Sequence, residues 1–491
     1  MRKFLAVAAV VVLAVAVAVP AMALDFKFGG EYRVRFYSYT NAGFTDGDGS
    51  APRGAQVRVR PRFDASDDNG NITATLRLEI GDVEFGNGGG AAGVANGFGN
   101  SIGLSTQGSS RTGNGSGGAM GVDGINVETK WAYIDAAFPF GVPLRVRAGL
   151  QSWYLPKGII VDDDVAGVRF YGTSNPVSYE VSWYRLAGGP RATTTAAVCT
   201  NATCTTTATA ITNTQATTTN TQDNNLDFYN GKLDFAVAKW LNLGLYGGYG
   251  RNAATGTQAA NGTGGGETHT WLYYGLTTTG DFGFMKYDLD FVGGRVNGVA
   301  PVNGTGAVDV SGYGADLGVH FPIGPVVINV GGSWFTGDDQ DGGISETMPF
   351  ISPSWNGPGN MMFEMFGAGG VFDPVDLSQD YPGGTWTAGV SVEYRPVKAL
   401  WLKLGYLYQN LIQNDSNCAQ LTTGSTNCFG PVYSRLATAP NQGETSLGHE
   451  FNLRADWDVW TGFKVQGTAG AWIPSAGDTT LEFALQLLYT F

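Results

Sequence analysis

The chain has 491 residues, with 14% charged and 12% aromatic side chains, 74 glycines and a formal net charge of −13. Soluble domains average roughly 25% charged residues and about 7% glycine, and disorder goes with few aromatics and dense charge. An ordinary soluble domain and a disordered chain are therefore excluded, and the acidic balance disfavours nucleic acid as a partner.

The chain opens with a cationic pair, Arg2 and Lys3, followed by an unbroken apolar run to Val19, then Pro20 and the small-x-small triplet Ala21, Met22, Ala23. Residues 1–23 are expected to be a cleavable signal peptide, so that the chain is exported. After Val19 no apolar run of about 18 residues is long enough to span a bilayer as a helix.

From Leu24 onward the dominant period is two, the period of a strand. Asp25, Lys27, Glu31, Arg33, Arg35 and Tyr37 alternate with Phe26, Phe28, Tyr32, Val34 and Phe36. Gln56, Arg58, Arg60, Arg62 and Asp64 alternate with Val57, Val59, Pro61 and Phe63, and Thr75, Arg77 and Glu79 with Ala74, Leu76 and Leu78. The turn between the last two segments, Asp67-Asp68-Asn69-Gly70-Asn71, is a strong one. The pattern recurs through Leu144–Gln151, Val177–Trp183, Leu400–Gln409 and Phe451–Trp457, ending with Leu481, Phe483, Leu485, Leu487, Tyr489 and Phe491 on one face.

Connections alternate between short and long. Eight short turns fall near 67–71, 140–143, 174–176, 239–241, 280–283, 322–324, 395–399 and 460–462. Nine long loops fall near 40–55, 83–125, 151–165, 188–224, 252–266, 295–306, 337–382, 411–445 and 473–478. Seventeen connections imply about 18 strands, within a range of 16–20 because alternation is poor over 266–294. The loop at 84–125 is rich in Gly, Asn and Ser, and the one at 188–224 in Thr, so both suit a solvated surface. Alternation runs on either side of every loop, and residues 24–491 read as one domain.

An aromatic, continuous apolar face backed by closely spaced charge is the reverse of a soluble sandwich. It fits a transmembrane antiparallel β-barrel, with apolar residues toward lipid and charges toward a wet lumen. Closure is obligatory, because a bilayer tolerates no open sheet edge. Tyr37, Trp131, Trp183, Trp334, Trp386, Trp457 and Trp472 lie near strand ends and are expected in the interfacial girdles.

The terminus at 485–491, with Phe491 last and Tyr489 two before it, resembles the C-terminal signal of Gram-negative outer-membrane barrels. Together with the leader and the short-turn, long-loop alternation, the chain resembles the bacterial porin family, in its general or alginate-export-like form. The segment 147–169 is similar to family members whose third loop folds into the lumen, which makes 151–165 the candidate constriction loop; the Pro-Glu-Phe-Gly-Gly motif of enteric constriction loops is missing. The resemblance implies short turns at the periplasmic side, long loops outside, residence in the outer-membrane lipid bilayer and a homotrimer.

Inward positions supply a cationic wall: Arg33, Arg35, Arg58, Arg60, Arg62, Arg77, Arg145, Arg147 and Arg169. Asp162, Asp163 and Asp164, in the candidate constriction loop, are expected to face it, and a transverse field across a narrow gap orients polar solutes. The alternative is that these arginines pair with Glu31, Asp64 and Glu79 and stiffen the wall. Cys199 with Cys204, and Cys418 with Cys428, sit as two close pairs in polar loops. An oxidising compartment favours two loop disulfides, of open connectivity. Among the histidines, His449 shares the lipid-side register of Phe451 and His320 is expected at a turn before Phe321-Pro322. Asp338, Asp339 and Asp341 read as an acidic surface loop. Neither catalysis nor a cofactor nor a metal is expected. The leading functional reading is a water-filled channel for passive diffusion of ions and small hydrophilic solutes, with near-neutral or weak anion preference. The alternatives are a specific channel for anionic sugars or carboxylates, and a structural or adhesive surface barrel.

Overall fold

A computed structural model describes residues 24–40, 53–85, 127–187, 226–252, 269–299, 308–337, 348–349, 351, 384–412, 446–475 and 478–491. The expected signal peptide at 1–23, all four cysteines, the loop expected at 188–224, and Asp338, Asp339 and Asp341 lie outside them.

The described residues form eighteen strands in one sheet. The first nine are β1 (Leu24–Tyr39), β2 (Arg53–Asp67), β3 (Ile72–Glu84), β4 (Val127–Ala137), β5 (Arg145–Tyr154), β6 (Asp162–Ser174), β7 (Val177–Ala187), β8 (Leu226–Ala238) and β9 (Leu241–Asn252). The rest are β10 (His269–Asp281), β11 (Lys286–Val299), β12 (Val308–Ile323), β13 (Val326–Phe335), β14 (Thr385–Val397), β15 (Leu400–Leu411), β16 (Ser446–Trp460), β17 (Phe463–Pro474) and β18 (Thr480–Thr490). Each strand pairs antiparallel with its sequence neighbours, and β1 closes the ring on β18. The fold is a transmembrane antiparallel β-barrel. Among the described residues, no helix is long and apolar enough to cross a membrane.

The eight expected short turns all join strands at one end of the barrel, and the nine long connections all leave from the other. Local chemistry explains the tightest of them. In the β2–β3 turn Gly70 takes φ +66°, a conformation glycine adopts without steric cost. Its N–H donates to Asp67 O at 2.9 Å, and the Asp67 carboxylate accepts from Ile72 N at 2.8 Å.

The two faces are inverted relative to a soluble protein. Phe26 (72% exposed), Phe28, Phe36, Leu76, Val181, Leu404, Leu453, Phe483 and Leu485 point outward as an apolar surface, while Arg33, Arg35, Gln56, Glu79, Asp135 and Glu450 are buried on the inner side. Two expected girdle residues turn the other way. Trp131 lies under the Arg77 guanidinium at 4.6 Å, and Trp472 is buried between Glu450 and Thr480 in register. Near a strand end an aromatic ring serves a wet cationic lumen as well as a lipid interface, because its face attracts cations. Trp334 and Trp457 are exposed outward.

The C-terminus finishes the seam. Phe491 exchanges two backbone hydrogen bonds with Gly30, at 2.9 and 3.1 Å, and its ring packs on Phe28 and Tyr489 at 5.3 and 5.8 Å. Deleting Phe491 leaves Gly30 unpaired at the closing edge. The deletion is expected to reduce the heat-modifiable folded band on a gel, whereas Phe491→Tyr, which keeps backbone and ring, retains it.

Candidate functional site: a constricted lumen

The hairpin made by β5 and β6 leaves the wall before it ends. Strand β5 pairs with β4 only as far as Leu150, and β6 pairs with β7 only from Ala166. Between those points, residues 151–165 pair only with each other, down to Tyr154 opposite Asp162. A 3₁₀ turn at Pro156–Gly158 closes the tip, where Gly158 N donates to Leu155 O at 2.9 Å. Freed from both neighbours, the tip folds into the barrel, over the segment expected to form the constriction.

Apolar contact holds one side of the tip. Trp153, Leu155, Ile159, Ile160, Val161 and Val165 pack with Tyr184, Phe228, Tyr246, Tyr273, Val292, Phe335 and Met348, which come mostly from the inner faces of β7 to β13. Ile159 and Ile160 are fully buried, and each such side chain contributes roughly 1.5–3 kcal/mol. Ile160 O also accepts from Ile351 N at 3.1 Å, which brings part of the β13–β14 connection onto the tip. This dry patch explains the poor alternation over 266–294. Inward positions such as Tyr273 carry aromatic groups there because they meet the tip rather than water.

Electrostatics hold the apex. Asp290 of β11 and Asp316 of β12 sit directly opposite each other in register, and both are almost fully buried. Such a like-charged pair is unfavourable unless a cation bridges it. The Lys157 Nζ supplies that cation: it contacts Asp316, lies 2.6 Å from Asp288 Oδ1 and 3.4 Å from Asp290 Oδ2. Burial pulls the Lys157 pKa down, but Asp316 and Asp288 push it up by more, so it stands above its ordinary value. A raised lysine pKa keeps the charge throughout the physiological range, and its contribution is lost only as pH climbs through that higher value. Lys157 also has φ +57°, a left-handed conformation unfavourable for a residue with a side chain, and its ion pairs compensate. His320, inside β12 rather than at a turn, extends the network with Nε2 2.8 Å from Asp288 Oδ2 and Nδ1 2.7 Å from Asn329 Oδ1.

The tip therefore packs along β7 to β13 and leaves most of the inner wall of β1 to β6 uncovered by its apolar side. There the nine expected arginines form two paired groups. In the first, Arg33 bonds to Gln56 at 3.0 Å, Arg35 to Gln486 at 2.9 and 3.0 Å, and Arg58 to Glu31 at 3.2 Å. Arg60 closes on Glu79, Arg62 reaches Asp64 at 2.8 Å, and Arg77 lies 3.9 Å from Glu31 and over Trp131. In the second, Arg145 and Arg147 share Asp135 at 2.7 and 2.8 Å, and Arg169 meets Glu180 at 2.8 Å. Arg33, Arg35 and Arg58 are buried in these contacts, whereas Arg62 and Arg145 keep 43% and 33% of their side chains exposed.

The aspartate triplet does not form an acidic face opposite this wall. Asp164 is bonded into the wall, accepting from Trp131 Nε1 at 2.6 Å and lying 2.8 Å from Lys130 Nζ. Asp163 Oδ1 accepts from the backbone N–H of Asp164, and Asp162 sits opposite Tyr154 on the last rung before the closing turn. The acidic group beyond the tip is Asp288, Asp290 and Asp316, engaged with Lys157. Sequence reading missed this group, Lys130, Asp135 and Glu180. The inward alternation of Asp288 and Asp290 was the available signal. His449 lies on the outward face beside Phe451, with Nδ1 2.8 Å from Tyr406 Oη.

Substituting Lys157 by Met keeps the length of the side chain and removes the charge, leaving buried aspartates uncompensated. A broken buried pair costs about 3–5 kcal/mol. The variant is expected to unfold at lower temperature and to show larger, noisier single-channel currents as the tip loosens; Lys157→Arg should stay close to the parent. Unchanged current and stability in Lys157→Met would show that the apolar contacts alone hold the tip.

No family model matches the sequence, and no curated protein matches it. Among solved structures, the chain is similar to Pseudomonas aeruginosa OccK9 (OpdG), with a TM-score of 0.54 at 9% identity over 95% of this chain and 98% of that one. It is similar to Pseudomonas aeruginosa OccK8 (OprE), with a TM-score of 0.52 at 13% identity and the same two coverages. The outer membrane protein opdK from Pseudomonas aeruginosa aligns with a TM-score of 0.50 at 10% identity over 95% and 98%. The likeness establishes a shared fold over nearly the whole chain.

Proposed function

We propose that the chain is an outer-membrane channel through which ions and small hydrophilic solutes diffuse passively, and that it is not a catalyst. The observation that carries this reading is the inward tip, docked on one half of the wall and leaving a charged, wet passage along the other. A barrel serving only as a surface anchor has no need to build and pin a constriction. The fold shared with an outer membrane protein supports the location, and the leader at residues 1–23 supports export. On the same reading the short turns and both chain termini face the periplasm, the long loops face outward with their two cysteine pairs as disulfides, and three copies assemble.

A second reading, a channel selective for anionic solutes such as sugar acids or carboxylates, is favoured by one feature. The guanidinium groups run across neighbouring strands as a continuous stripe, from Arg35 and Arg33 through Arg58 and Arg60 to Arg77 and Arg62. Most are neutralised by partners, so the stripe acts through its lumen-exposed members. Net charge of the whole chain is a poor guide to selectivity, because charges beyond about 8 Å from a permeating ion are screened at physiological salt.

Insertion into a planar bilayer is expected to give stepwise currents, weakly anion-preferring or near neutral at low salt. Replacing Arg62, Arg145 and Arg169 by Ala together should shift the reversal potential in a salt gradient toward cations. A membrane that stays non-conducting contradicts the channel. A conducting triple variant with the parent reversal potential shows that the wall is structural and does not select ions.

A further inference from the structure

Three arginines depart from the rule that charge faces inward. Arg185 of β7, Arg251 of β9 and Arg295 of β11 alternate with the buried inner positions Tyr184, Gly250 and Val296, and all three are exposed on the outer face. The register gathers them near the long-loop end of the sheet. Arg185 lies opposite Asp227 of β8, Asp227 opposite Arg251, and Arg251 opposite Thr270 of β10. Arg295 sits one outward position nearer the short turns, opposite Leu272, which in turn faces Tyr249. Toward the short turns the outer face becomes aromatic, with Tyr229, Tyr249, Tyr274 and Tyr313 between 44% and 52% exposed. A belt of outward tyrosines marks the boundary between hydrocarbon and headgroups. The arginines therefore stand at headgroup depth.

Arg251 has no counter-charge. Among the described residues it makes no hydrogen bond or ion pair, although a carboxylate lies directly opposite it. That carboxylate, Asp227, is already engaged: it accepts from Trp183 Nε1 at 3.1 Å and from Arg185 Nε and Nη2 at 2.9 and 3.0 Å. Arg185 keeps 41% of its side chain exposed in that contact. Arg295 Nε donates to the neutral Asn297 Oδ1 at 2.7 Å. Along these strands the outer face thus carries three guanidinium groups and one carboxylate. A lipid-facing charge is unfavourable at depth and tolerated at the interface, where an anionic headgroup turns it into an attraction. The forked N–H donors of guanidinium match two phosphate oxygens. Neighbouring strands are about 4.8 Å apart, which separates Arg185 from Arg251, two strands away, by about 10 Å. One phosphate does not fill such a row, and a headgroup with two does.

We propose that Arg251, flanked by Arg185 and Arg295, binds the headgroup of a membrane lipid that carries two phosphates, in the leaflet on the long-loop side. Apolar surface continues directly beneath the guanidinium groups, where Val181 and Leu272 are 63% and 51% exposed, and the acyl chains lie along it. A soluble phosphate leaves that surface unused. The inference rests on the transmembrane barrel and not on the channel reading.

The test titrates the full folded barrel in detergent with diphosphoryl lipid A, monophosphoryl lipid A or phosphatidylcholine, and reads the lipid-bound fraction by native mass spectrometry. The parent is expected to retain the diphosphorylated lipid at the lowest concentration, the monophosphorylated one at higher concentration and phosphatidylcholine only at background. Arg251→Gln should raise the half-saturating concentration of the diphosphorylated lipid about fivefold, and replacement of all three arginines by Gln about a hundredfold. Arg53→Gln, on the outer face of β2 opposite Ser38, should leave it unchanged. The heat-modifiable band confirms that each variant is folded; should the triple variant fail to fold, Arg251→Gln alone decides, because it breaks no contact among the described residues. Equal retention of the three lipids by the parent, or parent-like retention in folded Arg251→Gln, overturns the site. Full displacement of the lipid by an equal concentration of inorganic diphosphate also overturns it, by showing a site for free phosphate rather than for lipid.

Discussion

Everything in this molecule depends on closure of the sheet. In lipid an unpaired backbone N–H or C=O has no water to turn to, so a strand edge inside the hydrocarbon is prohibitively unfavourable. Pairing of β1 with β18 from Glu31 to Tyr39 removes both open edges of the described sheet, and the contacts of Phe491 with Gly30 and Phe28 finish the seam at the short-turn end. Once the ring is closed, every strand must present one face to lipid and the other to the interior, and the period-two sequence pattern follows from that necessity.

Closure also creates an interior that must be filled or hydrated, and this barrel does both. Along β7 to β13 the inner wall is dry, because Tyr184, Phe228, Tyr246 and Tyr273 meet the apolar side of the 151–165 tip. Along β1 to β6 it is charged and paired. The boundary is drawn by the tip, whose apex Lys157 neutralises aspartates that would otherwise repel one another. By being released from its neighbours, one hairpin supplies a hydrophobic core that a barrel otherwise lacks and carries Lys157 across to the aspartates of β11 and β12.

Strand number, turn positions and the inward arginines were legible because each depends on local pattern. Asp67-Asp68-Asn69-Gly70-Asn71 reads as a turn on its own, and Arg33, Arg35, Arg58, Arg60 and Arg62 alternate within single strands. The segment 151–165 was singled out through resemblance and turns inward, but its packing partners were not legible. Asp290 and Asp316 become opposite neighbours only once β11 and β12 are in register, and Lys157 meets them only after the tip crosses the lumen. For the same reason the aspartate triplet misled. Its position beside the tip was correct, but Lys130 and Trp131, which bind Asp164, lie on a strand far away in sequence. Trp131 and Trp472 show the matching limit for aromatics, since position near a strand end does not say which face of the wall a ring occupies.

If the proposed channel is right, a water-filled passage runs between the docked tip and the arginine wall. The most direct measurement places a single cysteine in that passage, Arg169→Cys, in a chain whose four native cysteines are serine. Current through one bilayer is then recorded while a charged thiol reagent is added. A stepwise change in current is expected as the reagent reacts, with no change when the cysteine is placed outward at Leu453. A channel whose current is indifferent to modification at 169, or one that responds equally at 453, would contradict it.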